Sequence, residues 1–89
     1  MDKQLTGIDT EYQRKLSSND KEYNQKLSSL NERASEVDKQ YRSNKIDFQA
    51  WNTQRSQLED EYYEAYKDYF AGAEDAESWY STQKATVLS

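Results

Sequence analysis

The chain has 89 residues, a formal net charge of −5, 33% charged residues, no Pro and two Gly. This composition excludes a many-stranded fold, because turn residues are scarce, and it suits long helices in a single domain, residues 1–89. Because Cys and His are absent, the chain offers no disulfide, no thiolate metal site and no imidazole general base. No apolar stretch has the length of a signal peptide or a membrane span, so we expect a virion or cytoplasmic location and no membrane partner.

The apolar residues are few and mostly aromatic. Eight Tyr and two Trp supply large surfaces, but they also carry polar atoms that need hydrogen-bond partners or water. A deep core is therefore not expected. The composition favours a narrow seam between helices, extended by contacts with other chains.

The first half of the chain contains an internal repeat. Residues 9–19 and 20–30 are identical at seven of eleven positions, and residues 31–41 form a degenerate third copy. Eleven residues make three helical turns, so equivalent side chains return to nearly the same face. An apolar stripe with spacings of three, four or seven agrees with this period: Leu5, Ile8, Tyr12, Leu16, Tyr23, Leu27, Leu30, Ala34, Val37 and Tyr41. We predict a helix from about residue 7 to about residue 43.

A second stripe predicts a second helix, from about residue 47 to about residue 83. Its members are Phe48, Trp51, Arg55, Leu58, Tyr62, Ala65 and Tyr69. Between the stripes, Asn44 tolerates the left-handed conformation that ends a helix, and Asp47 is a good N-cap for the next one, with Ile46 as a hydrophobic staple. A turn over residues 43–47 is short enough to make the helices antiparallel. The predicted fold is all-α: a long, coiled-coil-like antiparallel two-helix hairpin.

Gly72 is the point at which the second helix could kink or break. With a reversal near Asn44, however, Leu16 would face Ala73, Tyr12 would face Ala76, and Ile8 would face Trp79 or Tyr80. This pairing of large with small side chains favours a helix that continues through Gly72, at a cost of about 1 kcal/mol for the glycine. Residues 85–89 allow two interpretations: the tail could dock onto a partner through Val87 and Leu88, or it could simply fray. Fraying is the preferred interpretation.

Residues 44–58, NKIDFQAWNTQRSQL, resemble the SHOCT-type short helical hairpin. In that pattern a Gly-x-aliphatic-Thr turn leads into a helix with an aromatic residue, a basic residue and a Leu, and here Trp51, Arg55 and Leu58 stand at the matching spacing. Asn44 replaces the Gly, Asp47 replaces the Thr, and Ala50 replaces the usual Glu. The resemblance implies oligomerisation, as in phage virion proteins, and it transfers no catalytic residue.

Two charged or polar seam positions are candidates for fixing the register of the hairpin. Arg55 would face Ala34 and could pair with Glu32 or Asp38, or its stem could pack while its guanidinium reaches water. Asp20 would lie near Tyr69, either accepting a hydrogen bond from the phenol or remaining exposed.

The most unusual segment is the tyrosine-rich, acidic run over residues 59–70. Tyr63, Tyr66 and Phe70 form a second row beside the hairpin stripe, and a helix that is apolar on two faces needs a second partner. Trp51 at the hairpin tip, and Trp79 and Tyr80 near the end of the second helix, complete the set of expected contact residues.

Charge is distributed unevenly: residues 1–45 carry a net charge of +1 and residues 46–89 a net charge of −6. An acidic chain is poorly suited to bind nucleic acid through phosphates. Carboxylate pairs without His, a Gly-rich loop or zinc-ligand spacing give no catalytic, cofactor or metal site, and a solvated acidic face is the better interpretation.

The sequence therefore predicts a non-enzymatic structural or adaptor protein, without cofactors, that is homo-oligomeric or bound as several copies around a larger ring or tube. The most specific form of this hypothesis is a phage particle component, such as a portal, tail or internal capsid protein. The alternative is an acidic inhibitor or nucleic-acid mimic that binds a basic enzyme through residues 59–77.

Overall fold

The computed structural model describes residues 2–88 of the chain, and the side chains of residues 3–88. Two α-helices, α1 (Asp2–Arg42) and α2 (Phe48–Leu88), each have 41 residues. They form an antiparallel hairpin joined by residues 43–47, and the predicted all-α fold is thereby confirmed.

Both helices extend further toward the chain ends than their predicted bounds. The predicted start of α1 was about residue 7, but Leu5 continues the apolar stripe before Gly7 and is half-buried. The predicted end of α2 was about residue 83, but Val87 continues the spacing and is half-buried as well. Half-burial of one more apolar residue per helix stabilises an additional helical turn, since most helical stability in proteins comes from packing.

The turn has the geometry expected from its residues. Asn44 has a φ of 61°, in the left-handed region, and it is the only non-glycine residue with positive φ among residues 2–88. The Lys45 N–H donates to the Gln40 carbonyl, at 2.9 Å, and the Asn44 N–H donates to the Tyr41 carbonyl, at 3.1 Å. These two bonds make a Schellman motif. The Asp47 side chain then accepts from the Ala50 N–H, at 2.8 Å, as an N-cap does.

We expect Asn44→Ala to destabilise the hairpin by about 1 kcal/mol or more. Alanine has a Cβ, which disfavours positive φ, and it lacks the polar side chain with which asparagine can hydrogen-bond locally. Asn44→Gly should be close to neutral, since glycine adopts this conformation freely. Urea denaturation followed by circular dichroism measures both. Equal stability of the two variants would contradict the assigned turn.

The contacts between the helices divide the hairpin into two units. The turn-side unit, Tyr23–Lys67, contains the larger apolar cluster. Its buried members are Leu30, Ala34, Val37, Leu58 and Ala65. Three half-buried side chains, those of Ile46, Trp51 and Tyr62, pack against this cluster.

The terminal unit pairs residues 2–22 with residues 68–88. Its buried residue is Ala76, at 5% exposure, while Leu16 and Ile8 are half-buried. The rings of Tyr12 and Tyr80 stack with their centroids 4.3 Å apart. The burial of the alanine and the two aliphatic residues agrees with their expected place between the helices, whereas Tyr12 stacks on Tyr80, which was expected to face Ile8.

Gly72 lies inside α2, so the helix neither ends nor breaks there. The Asn19 Nδ2 atom donates to the Tyr69 carbonyl, at 2.8 Å. A Cβ placed on Gly72 would lie 2.8 Å from Asn19 Cγ and would overlap the carboxamide oxygen. Gly72 therefore makes room for an amide that reaches the backbone of the facing helix, and this contact was not predicted from the sequence.

The two glycines give a matched test of this contact. A Cβ on Gly7 would meet nothing within 4 Å, so Gly7→Ala should stabilise the protein by up to about 1 kcal/mol through helix propensity. Gly72→Ala should give no such gain, because the Asn19 carboxamide must leave and the Tyr69 carbonyl loses a bond worth about 1 kcal/mol.

In an Asn19→Ala background, Gly72→Ala should recover the full propensity gain. The free energies of unfolding from a double-mutant cycle measure the coupling. Additivity of the two substitutions would show that the amide and the glycine are independent.

Candidate protein-protein interface

Four aromatic side chains of α2 are more than half exposed. In the turn-side unit these are Phe48 (61%), Tyr63 (62%) and Tyr66 (53%), and in the terminal unit Phe70 (52%). Exposure of the last three agrees with the predicted second row. By contrast, Leu58 of the same helix is 2% exposed. The buried and exposed apolar residues of the turn-side part of α2 therefore lie on different flanks of the helix.

Phe48 was expected in the hairpin seam, and this prediction was wrong. It is the first residue of α2 and lies opposite the last turn of α1, which ends at Arg42, so the facing helix leaves most of its side chain exposed. Instead, Phe48 joins Tyr41 and Trp51 in an aromatic cluster at the hairpin tip. The ring centroids lie 6.4 Å apart for Tyr41 with Phe48, 5.3 Å for Tyr41 with Trp51 and 5.8 Å for Phe48 with Trp51.

Trp51 is held from both sides. Its indole N–H donates to Asp38 Oδ1, at 2.8 Å, and its ring packs against the buried cluster. The half-buried indole thus fixes the conformation of the hairpin tip. Phe48 and Tyr41, which is 37% exposed, form the more accessible aromatic surface there.

The two proposed register residues behave differently. Arg55 approaches Asp38, with Nε 4.0 Å from Oδ1, and its side chain is 35% exposed. Of the two expected partners, Asp38 is therefore the one that the structure brings near, at a distance too long for a hydrogen bond. Asp20 is exposed, and the polar side chain that reaches the backbone of Tyr69 is the neighbouring Asn19.

Trp79 and Tyr80 are engaged within the terminal unit. The Lys15 ammonium lies 5.0 Å from the centroid of the Trp79 ring, a cation–π distance. The Tyr80 hydroxyl donates to Asp9 Oδ1, at 2.6 Å, in addition to its stacking on Tyr12. Both side chains are half-buried, so they offer less surface to a partner than Tyr63 and Tyr66 do.

The acidic run is partly neutralised by cations of the same chain. Arg33 on α1 donates to Glu61 on α2, at 2.8 Å, and this bond holds the pKa of Glu61 below its ordinary value. Lys67 lies 3.8 Å from Glu64 and 5.5 Å from the Tyr63 ring centroid. The surface around Tyr63 is therefore mixed in charge and aromatic.

The described residues contain no arrangement typical of a metal centre. Among the side chains of residues 3–88, no three Asp or Glu groups gather in a set that could hold an ion. Neither α1 nor α2, as described, is apolar over a length that would cross a bilayer.

Comparison with known proteins adds no relative: no family model, no curated protein and no solved structure matches the chain.

The Tyr80–Asp9 contact predicts a pH dependence. The hydrogen bond to Asp9 raises the pKa of Tyr80, because deprotonation breaks the bond and places two negative charges together. Because the pKa of Tyr80 is higher in the folded chain than in the unfolded chain, the stabilisation from this hydrogen bond is complete below the unfolded-state pKa, near 10. It is lost as the pH rises through the folded-state pKa.

We therefore expect Tyr80→Phe to be less stable than the wild type at neutral pH. The difference between the two proteins should shrink as the pH rises above about 10. Urea denaturation at a series of pH values checks this, with Tyr63→Phe as a control at an exposed tyrosine. A difference that stays constant with pH would contradict the assigned role of the Asp9 contact.

Proposed function

We propose that this chain is a non-enzymatic structural or adaptor protein that works through helix–helix contacts in an assembly containing several copies of itself. The observation that carries the proposal is the exposure of Tyr63 and Tyr66 on a helix whose other flank, Leu58 and Ala65, is already buried in the hairpin. A single hairpin has one seam, so a second chain is needed to cover the second apolar flank.

The exposed area is large enough to matter. A tyrosine buries roughly 150–250 Å² when fully covered, and about half of that remains open at each of these two residues. At about 25 cal/mol per Å², covering them contributes about 2 kcal/mol per side chain before the costs of association. Two rigid aromatic anchors on one flank are typical of interface residues that carry binding energy.

A phage particle component is the most specific form of this proposal. Its support is the resemblance of residues 44–58 to the SHOCT-type hairpin, together with a left-handed Asn44 and an Asp47 N-cap at the turn. Such a component would sit as several copies around a larger ring or tube.

An acidic inhibitor or nucleic-acid mimic is the second candidate, favoured by the net charge of −6 over residues 46–89. In the turn-side unit, however, Arg33 binds Glu61 and Lys67 lies beside Glu64, which breaks up a phosphate-like row of charges. A mimic would bind its basic enzyme with a steep loss of affinity in salt, whereas contacts through aromatic residues depend weakly on salt.

Self-association tests the proposal. We expect light scattering after size-exclusion chromatography to give a mass above that of one chain, rising with concentration. Tyr63→Ser with Tyr66→Ser should return the mass to that of a monomer while circular dichroism shows unchanged helicity, because both residues lie outside the buried cluster.

Tyr63→Phe with Tyr66→Phe is the matched control, since it keeps the apolar rings and should keep the association. A wild-type chain that stays a helical monomer at every concentration would contradict the proposal. Undiminished association of the serine variant would contradict the role of this flank.

A further inference from the structure

One flank of α2 in the turn-side unit carries a continuous row of side chains, which we call the flank strip. Its members are Phe48, Asn52, Arg55, Glu59, Tyr63 and Tyr66, all exposed except the half-buried Arg55. Their spacings of four, three, four, four and three keep them on one side of the helix, at 100° per residue. The strip has aromatic residues at both ends and one pair of opposite charges in the middle.

Four of its six members form a symmetric pattern about residue 57, Phe48 with Tyr66 and Arg55 with Glu59, and an antiparallel pairing of two copies would match them. If two copies of α2 run in opposite directions about a two-fold axis beside residue 57, Phe48 of each copy faces Tyr66 of the other. Arg55 of each copy then faces Glu59 of the other. The contact is isologous, so every favourable pair occurs twice.

From this pattern we infer that the partner of the flank strip is a second copy of this chain, bound antiparallel in that register. The inference rests on the proposed function, which requires self-association but does not specify a geometry. A parallel pairing of the same strips would set Arg55 against Arg55 and Glu59 against Glu59, and like charges across an interface are unfavourable. Charge complementarity therefore selects the antiparallel arrangement.

Arg55 is able to make the second contact. Its Nε lies 4.0 Å from Asp38, so that pair is not a tight hydrogen bond, and a guanidinium has five N–H donors in a fixed fork. The same side chain can approach Asp38 of its own copy and Glu59 of the other.

The strip is about 27 Å long, from eighteen helical steps of 1.5 Å. A strip one helix wide and of this length buries less than the roughly 800 Å² per partner of a standard interface. The dimer should therefore be a weak one, which calls for measurements by sedimentation velocity over micromolar to millimolar concentrations.

Charge reversal tests the pairing. In Arg55→Glu, two glutamates face each other at both middle positions of a homodimer, and in Glu59→Arg two arginines do. Each variant alone should self-associate about tenfold or more weakly than the wild type. An equimolar mixture of the two should form a one-to-one heterodimer, because every Glu then faces an Arg. The double variant, Arg55→Glu with Glu59→Arg, should also regain association.

Lys21→Glu and Glu22→Arg carry the same charge changes at exposed positions of the terminal unit, and they should associate as the wild type does. The reversals also place like charges four residues apart in one helix. For this reason, circular dichroism accompanies each measurement. Arg55→Gln and Glu59→Gln provide a milder pair: each should weaken association, and mixing them should restore part of it, because Glu59 of the first variant then faces Arg55 of the second.

The outcomes separate the two proposals. Association that depends on Tyr63 and Tyr66 but is unaffected by the charge reversals, or is not restored by mixing, overturns the antiparallel register and leaves the proposed function standing. A wild-type chain that does not self-associate overturns both.

Discussion

The narrow contact between two helices limits the size of the side chains that this protein can bury. Two helices share one line of contact, and along it the buried side chains are small or aliphatic, with Leu58 and Ala65 among the least exposed. No large side chain is fully buried among the described residues. Since aromatic residues are much larger than the seam can enclose, they lie at its edges, where part of each ring stays in contact with water. The excess aromatic surface on α2 thus follows from the number of helices.

At the edges of the seam, the polar atoms of the aromatic side chains also find hydrogen-bond partners. Trp51, Tyr62 and Tyr80 each pack a ring beside the seam and donate to an acceptor on α1, namely Asp38, Asn31 and Asp9. Asp9 and Asn31 open the first and third copies of the eleven-residue repeat. The repeat therefore carries acceptors for tyrosine hydroxyls as well as an apolar stripe, and each donor–acceptor pair fixes the local register where apolar contacts alone would tolerate a shift.

The parts of the fold that depend on local patterns were predictable. The eleven-residue period and the three–four spacing indicated the helices, and Asn44 and Asp47 indicated the turn, because these signals act over a few residues. The ends of the helices, the exposure of Phe48 and the contact of Asn19 with Tyr69 were not predictable, since each depends on which residue lies opposite. Two signals for this last contact were present in the sequence: Asn19 lies beside Asp20, and Gly72 stands where Ala would favour a helix. Reading them together required the register of the hairpin.

In the proposed assembly, folding and association use different flanks of α2, and this separation has a functional consequence. The buried cluster, with Leu58 and Ala65, is complete within one hairpin, and the exposed Tyr63 and Tyr66 add nothing to it. A chain of this kind can fold first and associate afterwards, so association need not be obligate, and a weak contact repeated in many copies can still hold an assembly together. An aromatic strip with a charged centre suits that mode, because the rings supply area at low conformational cost while the charges select orientation.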